Sequence, residues 1–228
     1  MYGARHSLEK EKVRLGSILL PWVPETAAEW SIRMSDRPAF DPVSAPADPI
    51  ELLQMWLSAA VDPLPRAMVL STVDQLGHPD ARIVMLRGIS EAPSAGLSFS
   101  SSALSPKGRQ LADTPWAALT FHWPGHGRQI RVRGPVAATD GAGDFAARPP
   151  GSRAEVVVGS RQSEPLTDLA ELRTALADAE IDAAPADWTQ YTLRPTEFQF
   201  FQIDPDRVHI RLRYDRAADS WQHCLQWP

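Results

Sequence analysis

From residue 67 onward, short apolar runs alternate with clusters of Gly, Pro, Asp and Ser. That is the pattern of β-strands joined by turns. The runs 67–73, 81–86, 96–101, 117–123, 128–136, 190–193, 197–203, 208–214 and 221–225 are predicted strands. Asp74-Gln75-Leu76-Gly77-His78-Pro79 is turn chemistry, so 67–73 and 81–86 should form a hairpin. The most telling run is Arg207-Val208-His209-Ile210-Arg211-Leu212-Arg213-Tyr214. Side chains alternate along a strand, which puts Arg207, His209, Arg211 and Arg213 on one face. Val208, Ile210, Leu212 and Tyr214 then share the face turned to a core. Same-face neighbours lie roughly 7 Å apart, so these cations repel unless water or an anion sits between them. Arginine forks match phosphate and carboxylate, and the face reads as part of an anion pocket. A solvated outer strand face gives the same alternation.

Helical spacing is confined to a few places. Asp48 followed by Pro49 marks a helix start, and Ile50, Leu53, Trp56 and Leu57 then recur on one face, up to about residue 61. Ser105 and Pro106 mark a second start, leading into Lys107-Gly108-Arg109-Gln110-Leu111. A short helix is expected over 142–147 and a longer one over 166–179. Residues 1–46 show no persistent period and are punctuated by prolines, which predicts an arm, with 25–30 as one helical turn. The expected domains are this arm, 1–46, and a single domain over 47–228. The fold class is mainly β with helical decoration: an antiparallel barrel.

Composition narrows the function classes. The formal net charge of -5 argues against a general nucleic-acid partner. The apolar stretch 18–23 is too short and too broken to span a membrane. It also lacks the form of a secretory signal. A single cysteine, Cys224, excludes an intrachain disulfide and fits a reducing compartment, so a cytoplasmic location is expected. The histidines are scattered without metal-ligand spacing, and no metal site is expected. Glycine-rich phosphate loops and a nucleophile elbow are absent as well.

Two features carry candidate chemistry. Arg82-Ile83-Val84-Met85-Leu86-Arg87 is an apolar strand bracketed by arginines, which either emerge into water or meet a partner. Lys107 falls in the first turn of a helix, where a cation is unfavourable unless an anion accompanies it. That points to a phosphate.

Taken in order, several segments resemble the pyridoxamine 5'-phosphate oxidase family of FMN enzymes. They are Asp48-Pro49-Ile50 leading to Trp56-Leu57, Ala67-Met68-Val69-Leu70-Ser71-Thr72-Val73-Asp74, Arg82-Ile83-Val84-Met85-Leu86-Arg87, Ser105-Pro106-Lys107-Gly108, Gly127-Arg128-Gln129-Ile130, Arg148-Pro149-Pro150-Gly151-Ser152, Ser160-Arg161-Gln162-Ser163, Glu197-Phe198-Gln199-Phe200-Phe201 and Arg207-Val208-His209-Ile210-Arg211. The likeness covers roughly 46–228. Each motif is unspecific, and their shared order is specific. The segments Lys107-Gly108-Arg109-Gln110-Leu111, Pro115-Trp116-Ala117, Ser160-Arg161-Gln162-Ser163-Glu164 and Arg211-Leu212-Arg213-Tyr214-Asp215-Arg216 look closest to the flavin oxidases of phenazine biosynthesis.

The resemblance implies an FMN-binding split β-barrel, a homodimer with FMN at the subunit interface. It implies that Arg82 and Lys107 hold the FMN phosphate and that the backbone of Ile83, Val84, Met85, Leu86 and Arg87 runs beside the flavin. Ser100, Ser101, Gln129, Gln162, Ser163, Phe201 and Arg211 complete the cofactor shell. Phe201 stands where the family commonly has Trp, and Pro106 replaces a basic residue. The substrate side, by the same resemblance, is Arg87, Asp144, Arg148 and Ser152, with Arg207 and His209 as catalytic residues over the substrate ring. Asp144 departs from the vitamin B6 enzymes, because a carboxylate there repels a phosphate dianion. Residues 153–158 are one longer than the B6 pattern. The implied activity is an FMN-dependent oxidase acting on a small cyclic amine or dihydroaromatic acid, with O2 as acceptor. The alternatives are a pyridoxine/pyridoxamine 5'-phosphate oxidase and a flavin-binding split barrel without oxidase activity. Arg207 would grip a substrate anion, and His209 would hydrogen-bond the substrate or accept a proton. Trp22 or Trp30 of the arm could serve as a lid.

Overall fold

The computed structural model describes residues 14–15, 18–19, 40–90 and 95–228. The chain divides into two compact units, residues 1–36 and 37–228. In the first, β1 (Arg14–Leu15) and β2 (Ile18–Leu19) pair antiparallel. The helical turn expected at 25–30, and Trp22 and Trp30, lie outside the described residues.

In the second unit Phe40 lies against the first helix, α1 (Pro49–Ala59), which Asp48 caps by accepting from the Ile50 amide at 2.9 Å. β3 (Ala67–Val73) and β4 (Pro79–Met85) form the expected hairpin. β5 (Gly88–Ser90), β6 (Gly96–Ser102), α2 (Pro106–Asp113), β7 (Trp116–Trp123) and β8 (Arg128–Asp140) follow. Next come the helices α3 (Ala142–Ala146), α4 (Pro150–Val158) and α5 (Leu169–Ala177). The chain ends in β9 (Trp188–Leu193), β10 (Glu197–Gln202), β11 (Ile210–Ala217) and β12 (Ser220–Leu225).

All strand pairs are antiparallel, and the main sheet runs β12-β11-β10-β8-β7-β3-β4. β8 belongs to two sheets. Its first part pairs β7 and β10, and Val136 to Asp140 pair β9, which continues to β6 and β5. Gly134 lies at the change of sheet, where a Cβ would run into the Arg194 carbonyl. The two sheets share one strand and do not close, which makes the architecture a split barrel.

The main sheet has two unlike faces. Leu70, Leu119, Val132, Phe198 and Tyr214 sit side by side on five neighbouring strands, each 0% exposed. α1 closes this core. Trp56 meets Phe200 edge-on at 5.3 Å and Phe40 at 5.2 Å, a geometry worth roughly 1 kcal/mol per pair beyond area burial. The opposite face carries Ile83, Val69, Thr120, Arg131, Gln199 and Arg213 in one row.

Two expectations need correction. β11 starts at Ile210, so Arg207 and His209 do not share a strand face with Arg211 and Arg213. Val208, placed on the core face by alternation, is 71% exposed. The cause is local: the Asp204 carboxylate accepts from the amides of Asp206 (2.8 Å) and Val208 (3.3 Å). Such bonds compete with ladder pairing. The segment Pro149-Pro150-Gly151 opens α4, because proline is tolerated at the first helical position.

Candidate active site

The sequence-derived site residues gather into three groups. The first surrounds Lys107 in the opening turn of α2. Ser105 caps that helix by accepting from the Gly108 amide at 3.2 Å. Gly108 is required there, since a Cβ would press into the backbone of Ala103. The Lys107 ammonium is buried, donating to Ser101 (3.0 Å), Ser105 (3.3 Å) and the side-chain carbonyl of Gln162. These partners are neutral. Burial, and then the neighbouring Arg82 guanidinium, lower the Lys107 pKa to about 8, against a smaller opposing pull from Asp80. Arg82, on edge strand β4, donates to Thr72 (2.5 Å), Gln110 (3.1 Å) and Asp80. Two cations and one carboxylate leave this group with one excess positive charge, next to a helix N-terminus. The hydroxyl of Ser100 is buried without a hydrogen-bond partner. Ser163 adopts φ 73°, in the left-handed region that ordinary residues rarely occupy.

Beyond Arg82 the strand changes character. Ile83 and Met85 are 62% and 40% exposed, whereas Leu86 is buried and its amide donates to the Arg66 carbonyl. The chain then joins the second sheet through Arg87, whose amide donates to Ser98.

The second group lies on the polar face of the main sheet. Gln129, Phe201 and Arg211 are Cα partners across β8, β10 and β11. The Arg211 guanidinium sits 5.3 Å from the Phe201 ring centroid and donates to Gln199 at 3.0 Å, while its Nε is buried and unpartnered. Gln199 donates in turn to Gln226 at 2.9 Å, near the C-terminus. The His209 ring meets Phe201 at 5.7 Å. Arg207 stands in the turn before β11 with φ 65°. Two of the three non-glycine residues with positive φ among the described residues are thus candidate site residues, as strain at functional sites leads one to expect.

The third group unites Arg87, Asp144, Arg148 and Ser152. Asp144, its side chain 6% exposed, accepts from Arg87 Nε at 2.7 Å on one oxygen and from Arg148 Nε at 2.8 Å on the other. Trp188 Nε1 adds a third donor at 3.1 Å, and Arg148 reaches the Ser152 hydroxyl at 3.2 Å. Burial works to raise the Asp144 pKa, but hydrogen bonds and charge from Arg148 and Arg87 outweigh it and lower the pKa. Trp188 and Gln226 had no signal in the sequence, and Gln199 stood in a family-like segment without an assigned role. They act only through contacts across the fold. Thr72 lies in a predicted strand and Asp80 between the predicted turn and the next strand, and both could have been found only by pairing the hairpin register with α2.

Comparison with known proteins shows what the chain as a whole is similar to. The profile described as pyridoxamine 5'-phosphate oxidase matches residues 59–181, and that of the pyridoxine 5'-phosphate oxidase C-terminal dimerisation region matches 188–228. A pyridoxine/pyridoxamine 5'-phosphate oxidase of Hyphomonas neptunium is 39% identical over 226 residues, covering 93% of this chain and 99% of its own. One from Ectopseudomonas mendocina is 39% identical over 199 residues, covering 81% and 91%. Among solved structures, PhzG from Burkholderia lata 383, in complex with tetrahydrophenazine-1-carboxylic acid, superposes with a TM-score of 0.76 at 28% identity, covering 85% of this chain and 98% of that one. An FMN-binding protein from Nostoc punctiforme shares the fold, with a TM-score of 0.64 at 19% identity over 82% and 100% of the two chains. Among the described residues no cluster of metal-ligating side chains occurs, and no helix is long and apolar enough to cross a membrane.

Proposed function

The chain belongs to the pyridoxamine 5'-phosphate oxidase family, and from that premise we propose that its substrate is a small cyclic amine or dihydroaromatic acid carrying one carboxylate, of the phenazine-precursor type. It is an FMN-dependent oxidoreductase. Its own residues suit that cofactor. A buried ammonium with neutral partners, an adjacent guanidinium and a helix N-terminus form a seat for a phosphate dianion. Arg82 and Lys107 would hold the phosphate. Ser100, Ser101, Gln162 and Ser163 would take further polar contacts, as would Gln129, Phe201 and Arg211 from a second copy of the chain. This reading makes the active unit a homodimer with the site at the interface, and residues 47–228 its barrel domain. What bound FMN supplies is the two-electron chemistry: hydride acceptance from the substrate and return of the pair to O2.

The observation that carries the substrate reading is Asp144. Its carboxylate consumes one of the two positive charges of Arg87 and Arg148, leaving one. A monoanion matches that remainder, and a dianion meets a fixed negative charge. Arg87, Arg148 and Ser152 then orient a substrate carboxylate, with Arg207 and His209 on the substrate as well. The second reading, a pyridoxine/pyridoxamine 5'-phosphate oxidase, is favoured by the names of the relatives at 39% identity. Oxygen uptake by the FMN-loaded protein separates the two. Turnover of tetrahydrophenazine-1-carboxylic acid at a kcat/KM at least tenfold above that of pyridoxine 5'-phosphate supports the carboxylate reading. The reverse ranking overturns it.

A further inference from the structure

His209 stands just before β11, after a turn that the chain builds from Asp204, Pro205 and Asp206. The Asp204 carboxylate accepts from the amides of Asp206 (2.8 Å) and Val208 (3.3 Å), and the Arg207 amide returns to the Asp204 carbonyl at 3.1 Å. Arg207 takes φ 65° to complete the turn. The turn thereby aims the backbone amide of Asp204 at the ring of His209, and that amide donates to Nδ1 at 3.1 Å. A main-chain N–H can only donate. Nδ1 is therefore the bare, accepting nitrogen, and a neutral imidazole must carry its hydrogen on Nε2. The contact of the ring with Phe201 at 5.7 Å restrains its orientation from the side of β10.

We propose that the 204–208 turn holds His209 as the Nε2–H tautomer, making His209 a hydrogen-bond donor to the ligand of this site and Asp204 its positioning residue. A role as proton acceptor does not fit this geometry. Nε2 already bears a hydrogen, and a proton arriving at Nδ1 would break the bond to the Asp204 amide. The atom that His209 meets on the ligand is an acceptor: a carboxylate oxygen or the lone pair of a ring nitrogen. Calling that ligand the substrate rests on the function proposed above. The tautomer itself does not.

The test is nitrogen NMR of the FMN-loaded protein labelled with 15N-histidine, with His209→Gln used to identify the His209 signals among the six histidines. The expected result is two well-separated ring nitrogens, the protonated one assigned to Nε2 by its couplings to both ring C–H protons. Asp204→Asn, which keeps an accepting oxygen for the turn, retains that pattern. Asp204→Ala collapses it toward the averaged signature of a ring exchanging tautomers, and raises KM about fivefold with kcat within twofold, the scale of one neutral hydrogen bond. A hydrogen on Nδ1, protonation of both nitrogens at neutral pH, or an unchanged pattern in Asp204→Ala would each overturn the proposal. The spectrum reads the same whichever substrate is turned over, so failure of the substrate reading leaves this result standing, and the converse holds.

Discussion

Replacing Lys107 by methionine should separate cofactor binding from folding. Methionine keeps most of the volume and removes the charge. In the free protein the ammonium is costly, because burial and Arg82 lower its pKa from 10.5 to about 8. At 1.36 kcal/mol per pKa unit that is about 3 kcal/mol, an upper bound since water and ions screen the site. The charge also makes hydrogen bonds to Ser101, Ser105 and Gln162, worth about 1 kcal/mol each. The two contributions nearly cancel, so the free variant should unfold in urea within about 1 kcal/mol of the parent. FMN binding has no such offset. Losing a charge-assisted contact to phosphate costs about 2–3 kcal/mol, or roughly 30- to 150-fold in Kd, read by flavin fluorescence quenching. The sign with pH follows from the depressed pKa. The unfolded chain holds its proton up to the ordinary value, so this lysine's contribution to stability grows as pH rises between about 8 and 10.5. FMN affinity falls over the same rise, because the ammonium is lost. Lys107→Met should lack both slopes. An unchanged Kd, or a stability loss beyond about 3 kcal/mol, would refute the assignment of Lys107 to an anion rather than to the fold.

The other expectations concern the substrate side and the scaffold. Asp144→Asn removes the counter-charge of a part-buried guanidinium, Arg148, and of an exposed one, Arg87, so melting should reveal a loss of about 1–2 kcal/mol. At the same time the ratio of kcat/KM for pyridoxine 5'-phosphate over a carboxylate substrate should rise at least tenfold. A fall in that ratio would remove Asp144 from substrate selection. Gly108→Ala should destabilise by about 2 kcal/mol in urea and weaken FMN, because the new methyl pushes the first turn of α2 off Ala103. Phe200→Ala empties a fully buried position between Trp56, Phe198 and Tyr214, and should cost about 4 kcal/mol without altering the chemistry of the remaining folded protein.

Much of the frame is readable in the order of residues. The period-2 runs, the Asp48 and Ser105 caps and the Asp74-to-Pro79 turn are local properties, and each appears in the structure within a few residues of its expected bounds. A lysine in the first turn of a helix announces an unmet charge. Burial of Lys107 among neutral partners is what that signal becomes in three dimensions. The face assigned to 207–214 fails for an equally local reason, since an Asx-type turn outcompetes the strand ladder before Ile210.

Backbone periodicity and capping are settled among residues a few positions apart, so the sequence by itself determines the strands, the helix starts and the cations that need a partner. Whether Asp144 repels a ligand, or serves as counter-ion to Arg87 and Arg148 and as acceptor for Trp188, depends on residues 57, 4 and 44 positions away in the chain. Only the folded backbone brings those groups within hydrogen-bonding distance. Electrostatics at a few ångströms decides the role of a charge, and distance along the chain does not.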